Sequence, residues 1–219
     1  MSTLALIVGK SLAVRGEALA LALVYAIKFP ARVTGTILQG FFFCGAKSCS
    51  GTTRRCEPHF SGRMEYLAPI PESERDDLMQ AYHKRLTSDD RQTRLQAARA
   101  WSVWEGATSR LVQDPQMIAN TGEENFAEAF ARIENHYFVN AGFLPSDNWI
   151  LENVDSIRSI PTTIVQGRYD VVCPTDSAWA LHRALPDAEF NLVLAGHSAL
   201  EPAISDALVA ATEKYRSNA

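Results

Sequence analysis

The chain of 219 residues carries a formal net charge of −4, from 21 basic and 25 acidic residues. Its hydrophobic fraction of 47% is enough to bury the core of one large domain, or of a core and a lid. The charge balance lacks the basic field that binding to nucleic acid or to an anionic membrane requires, so the sequence argues against both partners.

The four cysteines do not indicate a disulfide framework in a chain of this size. The apolar run at 18–27 is shorter than the ~20 residues of a membrane span, and no clear cleavage site for a signal peptide follows it. We therefore expect a cytoplasmic protein with reduced thiols. The alternative is a zinc site, although the spacing fits no common ligand pattern, at Cys44, Cys49, Cys56 and His59.

The front of the chain suggests a nucleophile. An apolar run at 3–8 has strand length, the sequence Gly-Lys-Ser-Leu-Ala follows it, and a long Ala- and Leu-rich segment ends before Pro30. The order of strand, G-x-S-x-(small) and helix is the context of a nucleophile elbow, which makes Ser11 the candidate nucleophile. Ala13 stands where the motif has its last glycine, and a helix N-cap is the ordinary alternative role for Ser11.

A second strand is expected at 34–43, followed by a loop at 44–63 that shows no helical or strand period. From Pro69 the pattern becomes helical. Three helices are expected, at about 71–86, 88–106 and 123–140. This helical block interrupts the alternation of strands and helices, as an inserted lid does.

The closing stretch, 162–197, contains two short apolar runs separated by one amphipathic segment, which predicts a strand, a helix and a strand. Asp170 follows the first strand and His197 follows the second, so both side chains are expected at the carboxyl edge of a parallel sheet. Asp followed by His is also the end of the chain order Ser, Asp, His that α/β-hydrolases use.

These elements together predict an α/β fold with a mostly parallel sheet. The core is expected at 1–64 and 151–219, with an all-helical lid (cap) domain inserted at 65–150.

Two carboxylates in the helical block are bordered by aromatic residues. Glu105 follows Trp101 at i+4, and Glu134 lies within a turn of Phe130 and Tyr137. Such carboxylates suit an ammonium ligand, which they bind through ion pairing while the aromatic rings add cation–π attraction. They could equally form ion pairs with a lysine or arginine of the protein itself.

Several stretches of the chain are distinctive: IPESERDDLMQAYHKRLTSDD (70–90), AWSVWEGAT (100–108), FARIENHYF (130–138), GRYDVVCP (167–174) and AGHSALEP (195–202). They closely resemble the bacterial proline iminopeptidases, which are serine peptidases of the α/β-hydrolase fold. YAIKFPARV (25–33) is similar to the segment after that family's nucleophile helix. The resemblance implies release of an N-terminal proline from small peptides without a metal or organic cofactor.

The resemblance also implies roles for particular residues. Asp170 would orient His197, and His197 would act first as a general base and then as a general acid. Glu105 and Glu134 match the positions at which the family holds the free α-amino group of the substrate.

The first 65 residues depart from the family. Aligned without gaps from Tyr25, the family's serine falls on Gly16, whereas a gap of five residues brings Ser11 into register. Ser11 is preferred because a predicted strand precedes it and a predicted helix follows it. The family also carries further strands and an HGGPG-type oxyanion loop before its elbow, so we expect an α/β-hydrolase fold lacking its first strands. We accordingly expect weak activity or none, and the alternative function is that of a non-catalytic relative acting as a binding or vestigial module.

Overall fold

The computed structural model describes four segments of the chain: residues 6–8, 11–15, 17–40 and 62–216. For residues before Ala20 only the backbone is described. The chain divides into two units, a core unit of Met1–Phe43 with Asn148–Ala219 and a helical unit of Cys44–Asp147. The loop predicted at 44–63, up to residue 61, and the four residues of the proposed zinc site lie outside the described residues.

The core unit contains a sheet whose described strands lie side by side in chain order. They are β1 (Leu6–Val8), β2 (Ser11–Arg15), β3 (Gly35–Gln39), β4 (Thr162–Gly167) and β5 (Glu189–Val193). β1 pairs with β2 in antiparallel orientation, and the pairs from β2 to β5 are parallel. The predicted mostly parallel sheet is therefore confirmed.

The front of the chain differs from the prediction. Ser11 is the first residue of β2 instead of the turn between a strand and a helix, and it pairs with Val8 on one side and Gly35 on the other. Leu12 and Ala13 were predicted to lie in the elbow turn, with the helix after them, but a short apolar run such as this one also has the composition of a strand. In β2 this run completes the ladder beside β3.

The α-helices of the core unit pack around the sheet. The helix α1 (Glu17–Lys28) follows β2, and further along the core unit lie α7 (Trp149–Asn153), α8 (Thr175–Ala184) and α9 (Pro202–Arg216). β3 and β4 are buried along their whole length. Ile37 of β3 packs on Tyr215 of α9, and Val165 of β4 packs on Ile204 of the same helix. The predicted strand, helix and strand at 162–197 are confirmed as β4, α8 and β5.

The helical unit consists of α2 (Arg63–Leu67), α3 (Leu78–Leu86), α4 (Arg91–Thr108), α5 (Pro115–Thr121) and α6 (Glu124–Val139). The three predicted helices are confirmed with one change: Glu72–Asp77 forms a 3-10 helix, and the α-helix begins only at Leu78. None of the described helices has both the length and the apolar composition that crossing a membrane requires.

Aspartate caps and an aromatic cluster hold the helical unit together. Asp77, Asp90 and Asp114 accept hydrogen bonds from backbone N–H groups in the first turns of α3, α4 and α5. The aromatic cluster is defined by Tyr66, Tyr82, Trp101 and Trp104, whose ring centroids lie 4.9–6.3 Å apart in the pairs that contact. It fixes α2 and α3 against α4.

Candidate active site

Asp170 lies in the turn that follows β4, and its side chain is fully buried. One carboxylate oxygen, Oδ1, accepts a hydrogen bond of 2.7 Å from the backbone N–H of Cys173. The other, Oδ2, accepts one of 3.2 Å from the side-chain amide of Gln166. Two fixed donors thus hold a buried carboxylate in one orientation and offset part of the cost of its desolvation.

His197 lies in the segment that follows β5 and is 8% exposed. Its Nδ1 atom is 2.9 Å from Oδ2 of Asp170. Because a carboxylate only accepts hydrogen bonds, Nδ1 carries a proton, and in the neutral imidazole the lone pair is then on Nε2. The arrangement can therefore remove a proton from a group placed at Nε2. We call Asp170 and His197 the dyad.

The backbone around His197 is fixed from two sides. The side-chain amide of Gln39, the last residue of β3, donates a hydrogen bond of 2.9 Å to the carbonyl oxygen of His197. Glu201 accepts one of 2.8 Å from the backbone N–H of Gly196. Both side chains are buried, so the loop carrying the imidazole is held by groups that water does not reach.

Two glycines allow the strand ends to approach the dyad. Gly40 has φ +70°, and a Cβ at this position would lie 2.8 Å from Cε1 of His197. A Cβ on Gly167 would lie 1.8 Å from the carbonyl oxygen of Gly196. A larger residue at either position would displace the His197 segment.

The role of the glutamines and glycines at this edge was not predicted from the sequence. A signal for them exists, because the same pattern, Thr-Ile-x-Gln-Gly, closes two strands, at 36–40 and 163–167. A glutamine in a continuously apolar strand needs a hydrogen-bond partner when it is buried. In both strands that partner belongs to the segments that carry the dyad.

Ser11, the predicted nucleophile, is not brought to this edge. It begins β2 and pairs with Gly35 at the amino end of β3, whereas the dyad follows the carboxyl ends of β4 and β5. β2 ends at Arg15 and α1 begins at Glu17. The residue between them, which the sequence gives as Gly16, lies outside the described residues.

The helical unit contains the two predicted ligand-binding carboxylates. Glu134 on α6 is 4% exposed, and its Oε2 atom accepts a hydrogen bond of 2.5 Å from the indole N–H of Trp101 on α4. Glu105 is half-buried and follows Trp101 by four residues, so both project from the same face of α4. The helices α4 and α6 pack together, and Ser102 donates a hydrogen bond of 3.3 Å to the carbonyl oxygen of Ala127 across their contact.

Among the described residues one group has the composition of a metal site. Potential ligand atoms of Asp170, Cys173 and His197 all lie within 4.8 Å of one another. Because Asp170 and His197 are hydrogen-bonded to each other, a metal ion would have to displace the bond that defines the dyad.

The chain has the fold of the α/β-hydrolases. A hydrolase from Oleispira antarctica matches 94% of the chain with a TM-score of 0.55 at 12% identity, and the match spans 64% of that protein. A carboxylesterase structure from Nitrososphaera gargenis matches 94% with a TM-score of 0.50 at 13% identity, over 65% of its length. The predicted α/β-hydrolase fold is confirmed.

The sequence narrows this class further. A proline iminopeptidase of Arabidopsis thaliana is 50% identical over 202 residues, which are 90% of this chain and 53% of the relative. One from Xylella fastidiosa (strain Temecula1) is 48% identical over 201 residues, or 89% of this chain and 63% of the relative. The chain is a relative of the proline iminopeptidases and spans between about half and two thirds of their length. No family model matches it.

Proposed function

We propose that this chain acts on peptides with an N-terminal proline, as a serine aminopeptidase of the proline iminopeptidase type. The observation that carries the proposal is the 2.9 Å hydrogen bond between His197 and buried Asp170 at the carboxyl edge of the sheet. Relatives named proline iminopeptidase, which are 48–50% identical to this chain, also support the proposal.

In the proposed reaction a serine hydroxyl attacks the carbonyl carbon of the N-terminal proline while Nε2 of His197 takes the hydroxyl proton. When the bond between this carbon and the peptide nitrogen breaks, His197 gives the proton to the departing amine. Water then attacks the prolyl ester by the same route, which frees proline and restores the serine. Asp170 stabilises the imidazolium that forms in each half of the reaction.

The free amino group of the substrate is the feature that Glu105 and Glu134 would recognise. The imino nitrogen of an N-terminal proline is protonated at neutral pH, so a carboxylate can bind it by a charge-assisted hydrogen bond. Glu134 is 4% exposed, and an ion pair is stronger in such a site than in water. A substrate whose nitrogen is acylated has no charge to offer and should bind poorly.

Among the described residues the predicted nucleophile lies away from the dyad. Ser11 was predicted to fill this role, but it starts a strand at the amino end of the sheet. An elbow nucleophile lies between a strand and the helix that follows it, and in the sequence the residue between β2 and α1 is glycine, Gly16. That observation favours a second candidate function, in which the chain binds an N-terminal proline without cleaving it.

Hydrolysis of an L-proline arylamide tests the first function. Purified protein should release the arylamine faster than a His197→Ala variant does, and should show no release from the N-acetylated substrate. Equal rates for wild type and His197→Ala would exclude catalysis by the dyad.

Calorimetric titration with L-prolinamide separates the two candidate functions. Binding without hydrolysis supports the second function. Absence of both binding and hydrolysis excludes each of them.

A further inference from the structure

Trp101 and Glu134 form a contact that the dyad does not explain. Glu134 is a carboxylate buried in the helical unit, and the indole N–H of Trp101 donates a 2.5 Å hydrogen bond to its Oε2 atom. Trp101 is itself 2% exposed. A tryptophan in a hydrophobic core usually needs only one partner for its N–H, and any backbone carbonyl could serve. Here the partner is a carboxylate that is costly to bury.

The aromatic cluster fixes the direction of that N–H. Tyr82 meets the Trp101 ring edge-on with centroids 5.0 Å apart, and Tyr66 lies 6.3 Å away at a tilt. Phe138, one turn after Glu134 on α6, contacts the Trp101 ring from 6.2 Å. With rings on several sides the indole has little freedom to rotate, so the donor is aimed before any ligand arrives.

The chemistry of the indole makes it a suitable partner for a carboxylate that binds cations. Its N–H donates and has no lone pair to offer, so it can bond Glu134 without accepting a hydrogen bond from an ammonium ligand. A donor also stabilises the charged form of a carboxyl group more than the neutral form, which opposes the effect of burial. Fixing Oε2 in this way determines where the second oxygen, Oε1, points.

We propose that Trp101 is a positioning residue that holds the Glu134 carboxylate, ionised and in one orientation, for the protonated nitrogen of an N-terminal proline. This inference rests on the proposed function, because it takes Glu134 as the group that binds the amine. Trp101 does not contact the ligand in this account and acts through Glu134 alone.

The substitution Trp101→Phe keeps an aromatic ring and removes the N–H. It should weaken binding of L-prolinamide, measured by calorimetric titration, by about tenfold, the usual effect of losing a hydrogen bond to a charged group. Affinity for N-acetyl-L-prolinamide, which has no charge, should change by less than about twofold. If the chain hydrolyses the arylamide, KM should rise while kcat stays close to that of wild type.

The matched control is Tyr82→Phe. Tyr82 belongs to the same cluster, is buried and also donates a hydrogen bond, to the carbonyl oxygen of Tyr66. Its loss costs stability without touching Glu134, so the affinity for L-prolinamide should remain within about twofold of wild type. If both variants weaken binding equally, Trp101 has only a structural role.

A double-mutant cycle with Glu134→Gln tests whether Trp101 acts through Glu134. The effect of Trp101→Phe on L-prolinamide affinity should disappear when residue 134 is glutamine. Additive effects would overturn the inference, as would unchanged affinity in Trp101→Phe alone. If the wild-type protein does not bind L-prolinamide, the proposed function and this inference are both overturned. If the wild-type protein and Trp101→Phe bind it equally well, this inference alone is overturned.

Discussion

Gly40 lies against the imidazole of His197, and a Cβ atom added at residue 40 would be 2.8 Å from Cε1 and 3.1 Å from Nδ1 of the ring. Gly40 also follows Gln39, whose side chain holds the carbonyl oxygen of His197. The end of β3 therefore supports both the ring and the backbone of the residue that is proposed as the base. The orientation of the dyad depends on this strand, which is 158 residues away in the sequence.

Gly40→Ala should disrupt that support. Alanine would have to adopt φ +70° and its methyl group would collide with the imidazole, so the free energy of unfolding should fall by about 2 kcal/mol or more. Denaturant unfolding measures this change. The control is Gly62→Ala, because residue 62 has φ −82° and a Cβ there would meet no atom within 4 Å. Equal stabilities of the two variants would contradict the prediction.

Asp170→Asn should leave the fold intact and move the ring proton of His197 from Nδ1 to Nε2. The backbone N–H of Cys173 can only donate, so the asparagine oxygen must face it and the amide nitrogen must face Nδ1 of the ring. The proton then moves to Nε2, where it occupies the lone pair that would otherwise accept a proton. Nitrogen NMR of the imidazole reports the tautomer independently of turnover. A proton that stays on Nδ1 would refute this assignment.

The sequence predicted the parts of the structure that depend on local pattern. Two short apolar runs with one amphipathic segment between them were sufficient to predict β4, α8 and β5, and the carboxyl-edge rule then placed Asp170 beside His197. The Gln39 contact with His197 joins distant strands, and nothing in either segment alone specifies it. The prediction that Ser11 lies in an elbow turn was wrong because the local pattern is ambiguous. A short apolar run fits both a strand and the start of a helix.

In the helical unit the sequence indicated the carboxylates but not their partners. Glu134 was recognised from its aromatic surroundings and from a family resemblance. That Trp101 donates to it depends on how α4 and α6 pack, over a separation of 33 residues. Helical periodicity predicts which face of each helix is buried. It does not predict how one helix is rotated against the other, which decides the pairs of side chains that meet.

Asp90 should make the stability of α4 depend on pH. Hydrogen bonds from the side chain and backbone of Thr93 hold the pKa of this carboxyl below its usual value. Because the pKa is lower in the folded state, the stabilisation is complete above the unfolded pKa and is lost as the pH falls through the folded pKa. Asp90→Ala should therefore lower Tm by roughly 2–4 °C at pH 7. The difference from wild type should shrink in acid.

Asp89→Ala is the control for this cap. Residue 89 is also an exposed aspartate, and no capping hydrogen bond is assigned to its carboxylate. Its Tm should stay close to that of wild type at both pH values. A Tm difference between Asp90→Ala and wild type that does not change with pH would show that the charge on Asp90 plays no part.

The junction of β2 and α1 gives the decisive test of the nucleophile. If the elbow position is residue 16, Ser11→Ala should leave hydrolysis of the L-proline arylamide unchanged, because residue 11 begins β2 at the far end of the strand. Gly16→Ser should raise hydrolysis by about tenfold or more, because it supplies a hydroxyl at the sequence position between β2 and α1. Adding His197→Ala to Gly16→Ser should remove the gain, since the new serine needs the same base. Loss of hydrolysis in Ser11→Ala, with no gain in Gly16→Ser, would instead establish Ser11 as the nucleophile and require the front of the chain to rearrange before catalysis.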